Sequence, residues 1–223
     1  LYKFHSGAPS SENYFKGADE LFTSLNKLTS DLSFKEITFS IKSTKDKPII
    51  ENTERLIDKY SDVLIYLAEE NNNIVVLDAD LVLDTGLIPF KDKFPERFIE
   101  CGIAEQDMVS MAGGLSIMGK LPIVHSFSCF LSSRPNEQMY NNSTEKNKII
   151  YVGSLAGVLP AGPGHSHQAI RDIATVGSIP GLVMIEPSCN DDLEMLMDWS
   201  IKENLESVYL RLCSLPYVKN ILF

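Results

Sequence analysis

An α/β fold with a mostly parallel sheet and helices on both faces is the class this sequence predicts, on three observations. Short apolar runs rich in Val and Ile recur along the chain. Stretches with helical apolar spacing alternate with them, and the joints between are dense in Gly, Pro and Asn. Strands alternating with helices require right-handed crossovers, which put helices on both sheet faces.

The elements follow in order. Residues 1–50 are polar and weakly patterned, with a helical stretch at 19–28 and breaks at Ser6-Gly7-Ala8-Pro9-Ser10 and at the charged run 42–47 before Pro48. This reads as a connector. Leu56, Ile57, Tyr60, Val63, Leu64 and Leu67 then recur at helical spacing, up to Asn71-Asn72-Asn73. Residues 74–77 are a short β-branched run suited to a fully buried parallel strand. Alternation predicts a helix over 103–118, a strand at Leu121–Phe127, a helix over 136–146 and a strand at 149–152. A helix over 168–176, a strand at Leu182–Ile185, a helix over 191–202 and a strand at Ser207–Leu212 complete the pattern. Ligands of such sheets sit beyond the carboxyl ends of the strands, so the loops after Leu77, Phe127, Val152 and Ile185 are where chemistry is expected.

Composition narrows the function. With 223 residues, 44% hydrophobic and 22% charged, the chain can bury one sizeable α/β core and is not a disordered type. A net charge of −10 without a Lys/Arg cluster argues against a nucleic-acid or anionic-membrane surface. The four cysteines form no CxxC pair and read as reduced thiols of a cytoplasmic protein. No apolar run reaches the ~20 residues that span a bilayer. The chain opens on Leu1 without Met, as expected of a piece of a longer polypeptide.

Three segments carry candidate chemistry. Glu105 stands in the first turn of a nearly all-apolar helix; it either complements the helix dipole or is a buried acid able to share a proton with a ligand nitrogen. Phe127 and Phe130, in Ser126-Phe127-Ser128-Cys129-Phe130-Leu131, either cap the core or offer a flat face to a cofactor ring. His165 and His167, in Gly162-Pro163-Gly164-His165-Ser166-His167-Gln168, lie on a loop that needs unusual backbone angles. A His-x-His pair needs a third ligand to hold zinc, and no spacing supplies one. Substrate binding, proton transfer or a plain solvated loop remain as readings.

Taken in order, these segments resemble the pyrimidine-binding domain shared by transketolase, deoxyxylulose-phosphate synthase and the β part of the pyruvate dehydrogenase E1 component. Phe98-Ile99-Glu100-Cys101-Gly102-Ile103-Ala104-Glu105-Gln106 resembles the family's segment ending in Gly-Ile-x-Glu, and Gly119-Lys120-Leu121-Pro122-Ile123-Val124 the strand after it. Ser128-Cys129-Phe130-Leu131 resembles "S/T-T-F-L", and Gly164-His165-Ser166-His167-Gln168 resembles "D-G-x-T-H-Q". Glu186-Pro187 and Tyr209-Leu210-Arg211 match the last turn and strand, and the likeness covers residues 52–215.

The resemblance implies thiamine diphosphate as cofactor and transfer of a two-carbon ketol unit between sugar phosphates. It makes Glu105 the partner of the pyrimidine N1′, Phe130 the stacking aromatic with Phe127 beside it, and Asp80, in Asp78-Ala79-Asp80-Leu81, a residue near the cofactor. It makes His167 the contact to the reacting carbons and Arg211 the phosphate holder, with His165 and Arg134 further substrate contacts. The acid expected before Gly164 is Pro163, which His165 would have to replace. The Gly-Asp-Gly…Asn segment with which the family holds Mg²⁺ and the diphosphate does not occur in the chain. The expected organisation is therefore a connector over 1–50 from an upstream pyrophosphate-binding domain, a pyrimidine-binding domain over 51–216 and a linker from 217–223. The site is expected to be completed by that upstream domain or by a partner subunit, in a homodimer. A synthase-like or E1-like enzyme decarboxylating a 2-oxo acid is the alternative. A non-catalytic α/β module is another, weakened because Rossmann and P-loop glycine patterns are absent.

Overall fold

Strands buried on both faces determine the architecture. The computed structural model describes residues 10–32, 53–158 and 164–218. By internal packing the chain divides into two units, Leu1–Ile49 and Ile50–Phe223. Within the first, α1 (Ser11–Asp31) is the described element; Ser10 caps it by accepting the Asn13 N–H at 3.3 Å, and none of its residues is buried. It outruns the helix expected at 19–28 at both ends, because that cap and a tolerant polar sequence extend it. The rest of the expected connector, with the breaks near Gly7 and at 42–48, lies outside the described residues.

The second unit runs β1 (Thr53–Glu54), α2 (Leu56–Glu70), β2 (Ile74–Asp78), α3 (Ile88–Lys93), β3 (Phe98–Glu100), α4 (Glu105–Ile117), β4 (Leu121–Phe127) and α5 (Ser128–Leu131). It continues with α6 (Asn136–Thr144), β5 (Ile150–Ser154), α7 (Asp172–Val176), β6 (Leu182–Ile185), α8 (Asn190–Lys202), β7 (Ser207–Leu212) and β8 (Tyr217–Val218). Six strands form one parallel sheet in the order β3-β2-β4-β5-β7-β6. Ile74 and Val76 of β2, Ile123 of β4, Val152 of β5 and Leu210 of β7 face one core with Tyr60 and Leu64 of α2 and Met197 of α8. Val75 and Leu77, Val124, Tyr151 and Tyr209 face the other, with Met108 and Ala112 of α4 and Met139 of α6. Each such side chain, moved out of water, contributes about 1.5–3 kcal/mol. The predicted fold class is the one observed.

Several details differ from the sequence expectation. The helix predicted over 168–176 begins at Asp172: Ala169 is held extended by bridges to Ala156 and Gly157, with its N–H 2.8 Å from the Gly157 carbonyl. The segment 98–100 is an edge strand too short to show a period. Ser128–Leu131 is a helical turn rather than a strand end. β8 pairs antiparallel with β1, and the Tyr217 hydroxyl donates to Glu54 at 3.0 Å and accepts the Asn190 N–H at 2.8 Å. β8 thus lies beyond residue 216.

Candidate active site

The carboxyl ends of β2, β3 and β4 assemble the first half of the site. Glu100, ending β3, accepts the N–H groups of Asp80 (2.9 Å) and Gly102 (3.0 Å), tying the turns after β2 and β3 together. Gly102 takes φ +66, which a side chain disfavours, and so the chain turns sharply into α4. Glu105 then opens α4 with 4% of its surface exposed. Asp80 has φ 62, an uncommon angle for a residue with a Cβ, and sits exposed at the end of β2.

The second half comes from β4 and the turn after it. Phe127 is buried at the strand end, and the one-turn helix α5 lifts Phe130 beside it, ring centroids 5.9 Å apart. His167, in the helical turn His165–His167, meets Phe130 edge-on at 4.9 Å and Phe127 at 6.0 Å. The chain after α5 folds back, Arg134 N–H to Phe130 carbonyl at 2.9 Å, and this returns the Arg134 guanidinium over the Phe130 ring at 3.9 Å. Its Nη1 lies 2.5 Å from Glu105 Oε1, to which the Ser126 hydroxyl also donates at 3.4 Å. A buried carboxylate, two phenyl rings, an imidazole and a guanidinium thus share one end of the sheet.

The structure therefore brings together Glu105, Phe127, Phe130, Arg134 and His167. Arg134, expected to meet substrate, is turned inward onto Glu105. His165 is exposed on the same turn, and Pro163, whose missing carboxylate it was expected to replace, lies outside the described residues. Arg211, expected to hold a phosphate, is paired within the chain. Its side chain is 7% exposed, with Nε 2.7 Å from Asp172 Oδ2, Nη2 3.4 Å from Oδ1, and Nη1 on Glu186. A phosphate would have to displace the exposed Glu186. Asp172 also accepts the Ser128 hydroxyl at 2.8 Å, and Ser128 meets the Tyr209 hydroxyl at 2.8 Å. This network anchors α5 and the start of α7 to β7. Sequence reasoning missed Asp172 because its partners lie 39 and 44 residues away and it sits within a predicted helix.

Burial pushes the Cys101 and Cys129 thiols up to about 11, so both stay protonated at neutral pH. Among the described residues no group of three or more His, Cys, Asp or Glu side chains is placed to hold a metal ion.

Residues 56–217 match the family described as transketolase, pyrimidine binding domain. The chain belongs to that family. It is similar to a 1-deoxy-D-xylulose-5-phosphate synthase of Clostridium acetobutylicum, 32% identical over 145 residues, which is 65% of this chain and 23% of that protein. A 6-deoxy-6-sulfo-D-fructose transketolase subunit of Clostridium sp. is 33% identical over 165 residues, 74% of this chain and 51% of that one. Among solved structures, a split gene transketolase described as an inactive beta4 tetramer superposes with a TM-score of 0.63 at 34% identity, over 72% of this chain and 51% of that chain. The chain thus spans about a quarter of the synthase and about half of the other two. Transketolases and deoxyxylulose-phosphate synthases are thiamine-diphosphate enzymes, and this chain is a domain of that type. Among the described residues no helix is long and apolar enough to cross a membrane.

Proposed function

We propose that this chain supplies the pyrimidine side of a thiamine diphosphate site in an enzyme that transfers a two-carbon ketol unit between sugar phosphates. One observation carries the reading: the buried Glu105 carboxylate hydrogen-bonds, at 2.5 Å, a flat donor-bearing group stacked on Phe130. The donor set therefore fits an aminopyrimidine, which is also flat and presents N–H groups at its edge. When bound, the cofactor supplies a carbanion equivalent for cleaving and forming carbon–carbon bonds. Glu105 would share a proton with the ring nitrogen and hold it in place, out of water. Phe130 would fix the ring plane with Phe127 beside it. His167, packed on Phe130, would face the substrate, where an imidazole can exchange protons with a sugar hydroxyl. His165 and Asp80 flank this edge as further substrate and cofactor contacts.

The diphosphate and Mg²⁺ are assigned to a pyrophosphate-binding region upstream or on a partner subunit, since this chain contains no Gly-Asp-Gly segment. Ile103, Met111, Ile117 and Met118, exposed on and around α4, support a homodimer packed through that helix. The domain limits are proposed as 51–216 extended by β8, in a cytoplasmic enzyme. A synthase-like activity on a 2-oxo acid is the second reading, favoured by the likeness to deoxyxylulose-phosphate synthase. Product analysis of the complete enzyme separates the two: aldose formation from a ketose phosphate supports ketol transfer, and CO₂ release from pyruvate supports the synthase reading.

A further inference from the structure

Arg134 makes, within the chain, both contacts that the proposed function gives to the cofactor ring. Its guanidinium lies 3.9 Å over the face of Phe130 and its Nη1 is 2.5 Å from Glu105 Oε1. The two contacts are geometrically linked. Groups stacked on opposite faces of one phenyl ring lie about 7–8 Å apart, twice the ~3.5–4.0 Å contact distance. A carboxylate that meets the edge of a flat group on one face cannot also meet the edge of a group on the other. Glu105 is 4% exposed and has little room to cross that gap. A ring that both stacks on Phe130 and bonds Glu105 must therefore take the place where the guanidinium lies.

We propose that Arg134 is a built-in competitor for the cofactor's pyrimidine, occupying its place in the unloaded protein and turned out when the ring enters. The inference rests on the ring-binding reading above. Arg134 is suited to the exchange: its side chain is 39% exposed, so water is available to it on release, and a guanidinium is planar, a permanent donor and weakly hydrated. Holding the place also keeps the buried Glu105 carboxylate paired until the ring arrives, when leaving it unpaired would be costly. The apparent affinity for cofactor is lowered by the fraction of molecules in which Arg134 occupies the site.

The test is calorimetric titration of thiamine diphosphate with Mg²⁺ into the complete enzyme, its diphosphate-binding region present, as wild type, Arg134→Met and Arg134→Lys. Removing the competitor should tighten binding by Arg134→Met at least about tenfold. Arg134→Lys, which keeps the charge but loses the flat face, should fall between it and the wild type and remains informative if the Met variant does not fold. Binding by wild type with equal or weaker binding by the folded variants overturns the inference and leaves the proposed function standing. Absence of binding by all three overturns both.

Discussion

His125 sits fully buried on β4, its Nε2 2.5 Å from the Tyr60 hydroxyl and its Nδ1 3.2 Å from the Leu77 carbonyl. The Nδ1–H donates to that carbonyl, so Nε2 accepts from Tyr60, and burial lowers the imidazole to about 4. Asp78, at the end of β2 and equally buried, is raised by burial to about 6. The signs oppose. Between about pH 6.5 and 4 the unfolded histidine binds a proton that the folded one does not, so stability falls on acidification by about 3 kcal/mol. Between about pH 6 and 3.8 the folded aspartate holds a proton that the unfolded one does not, so stability rises on acidification by a similar amount. Asp78→Asn removes the compensating group, and urea midpoints at pH 7 and pH 4.5 should show the variant losing about 2 kcal/mol more than wild type. Equal losses would mean that Asp78 titrates normally. None of this pairing was legible in the sequence, because Tyr60 and His125 lie 65 residues apart. Glu105 was legible as a candidate, since an acid opening an otherwise apolar helix stands out. That Arg134 would cover it was not, because the contact depends on the fold-back after Phe130.

At the scale of elements, glycine marks where two pieces must touch. A Cβ on Gly153 of β5 would lie 2.6 Å from the Tyr209 hydroxyl and 2.9 Å from Ser128 Oγ, in the network that anchors α5 to β7. Gly153→Ala should therefore cost about 1–3 kcal/mol and move Phe130 with α5, read as a lower thermal midpoint and changed His167 ring-current shifts. Unchanged His167 signals would show that α5 is anchored elsewhere. In α4 a Cβ on Gly113 would lie 2.1 Å from Asn142 Oδ1, while Asn142 Nδ2 donates to the Val109 carbonyl at 3.0 Å. Gly113→Ala should destabilise by about 2 kcal/mol or more despite its better helix propensity, measured by urea unfolding. The buried strands were readable because Val and Ile runs bounded by loops have few other uses. Residues 168–171 were not, because the bridge from Ala169 to Gly157 overrides a helical apolar pattern.

At the scale of the whole molecule, an apolar helix surface points outward. Ile117 and Met118 are more than two-thirds exposed at the end of α4, an uncommon cost for a surface meant to face water. Sedimentation of the complete enzyme should show a dimer, and Met111→Glu with Ile117→Glu should shift it toward monomer; a dimer unaffected by both changes would place the interface elsewhere. If the proposed function holds, with the diphosphate anchor supplied from outside it, this chain by itself should bind thiamine diphosphate weakly and be inactive. The sequence disclosed the family through an ordered set of motifs, each weak by itself.

The most direct measurement is titration of thiamine diphosphate with Mg²⁺ into the complete enzyme and its Glu105→Ala variant, followed by turnover of a ketose phosphate. The wild type should bind and turn over, while the variant should keep its fold and lose at least about a hundredfold in turnover. A variant that binds and turns over like the wild type would contradict the role of Glu105, and with it the assignment of this sheet edge as the pyrimidine site.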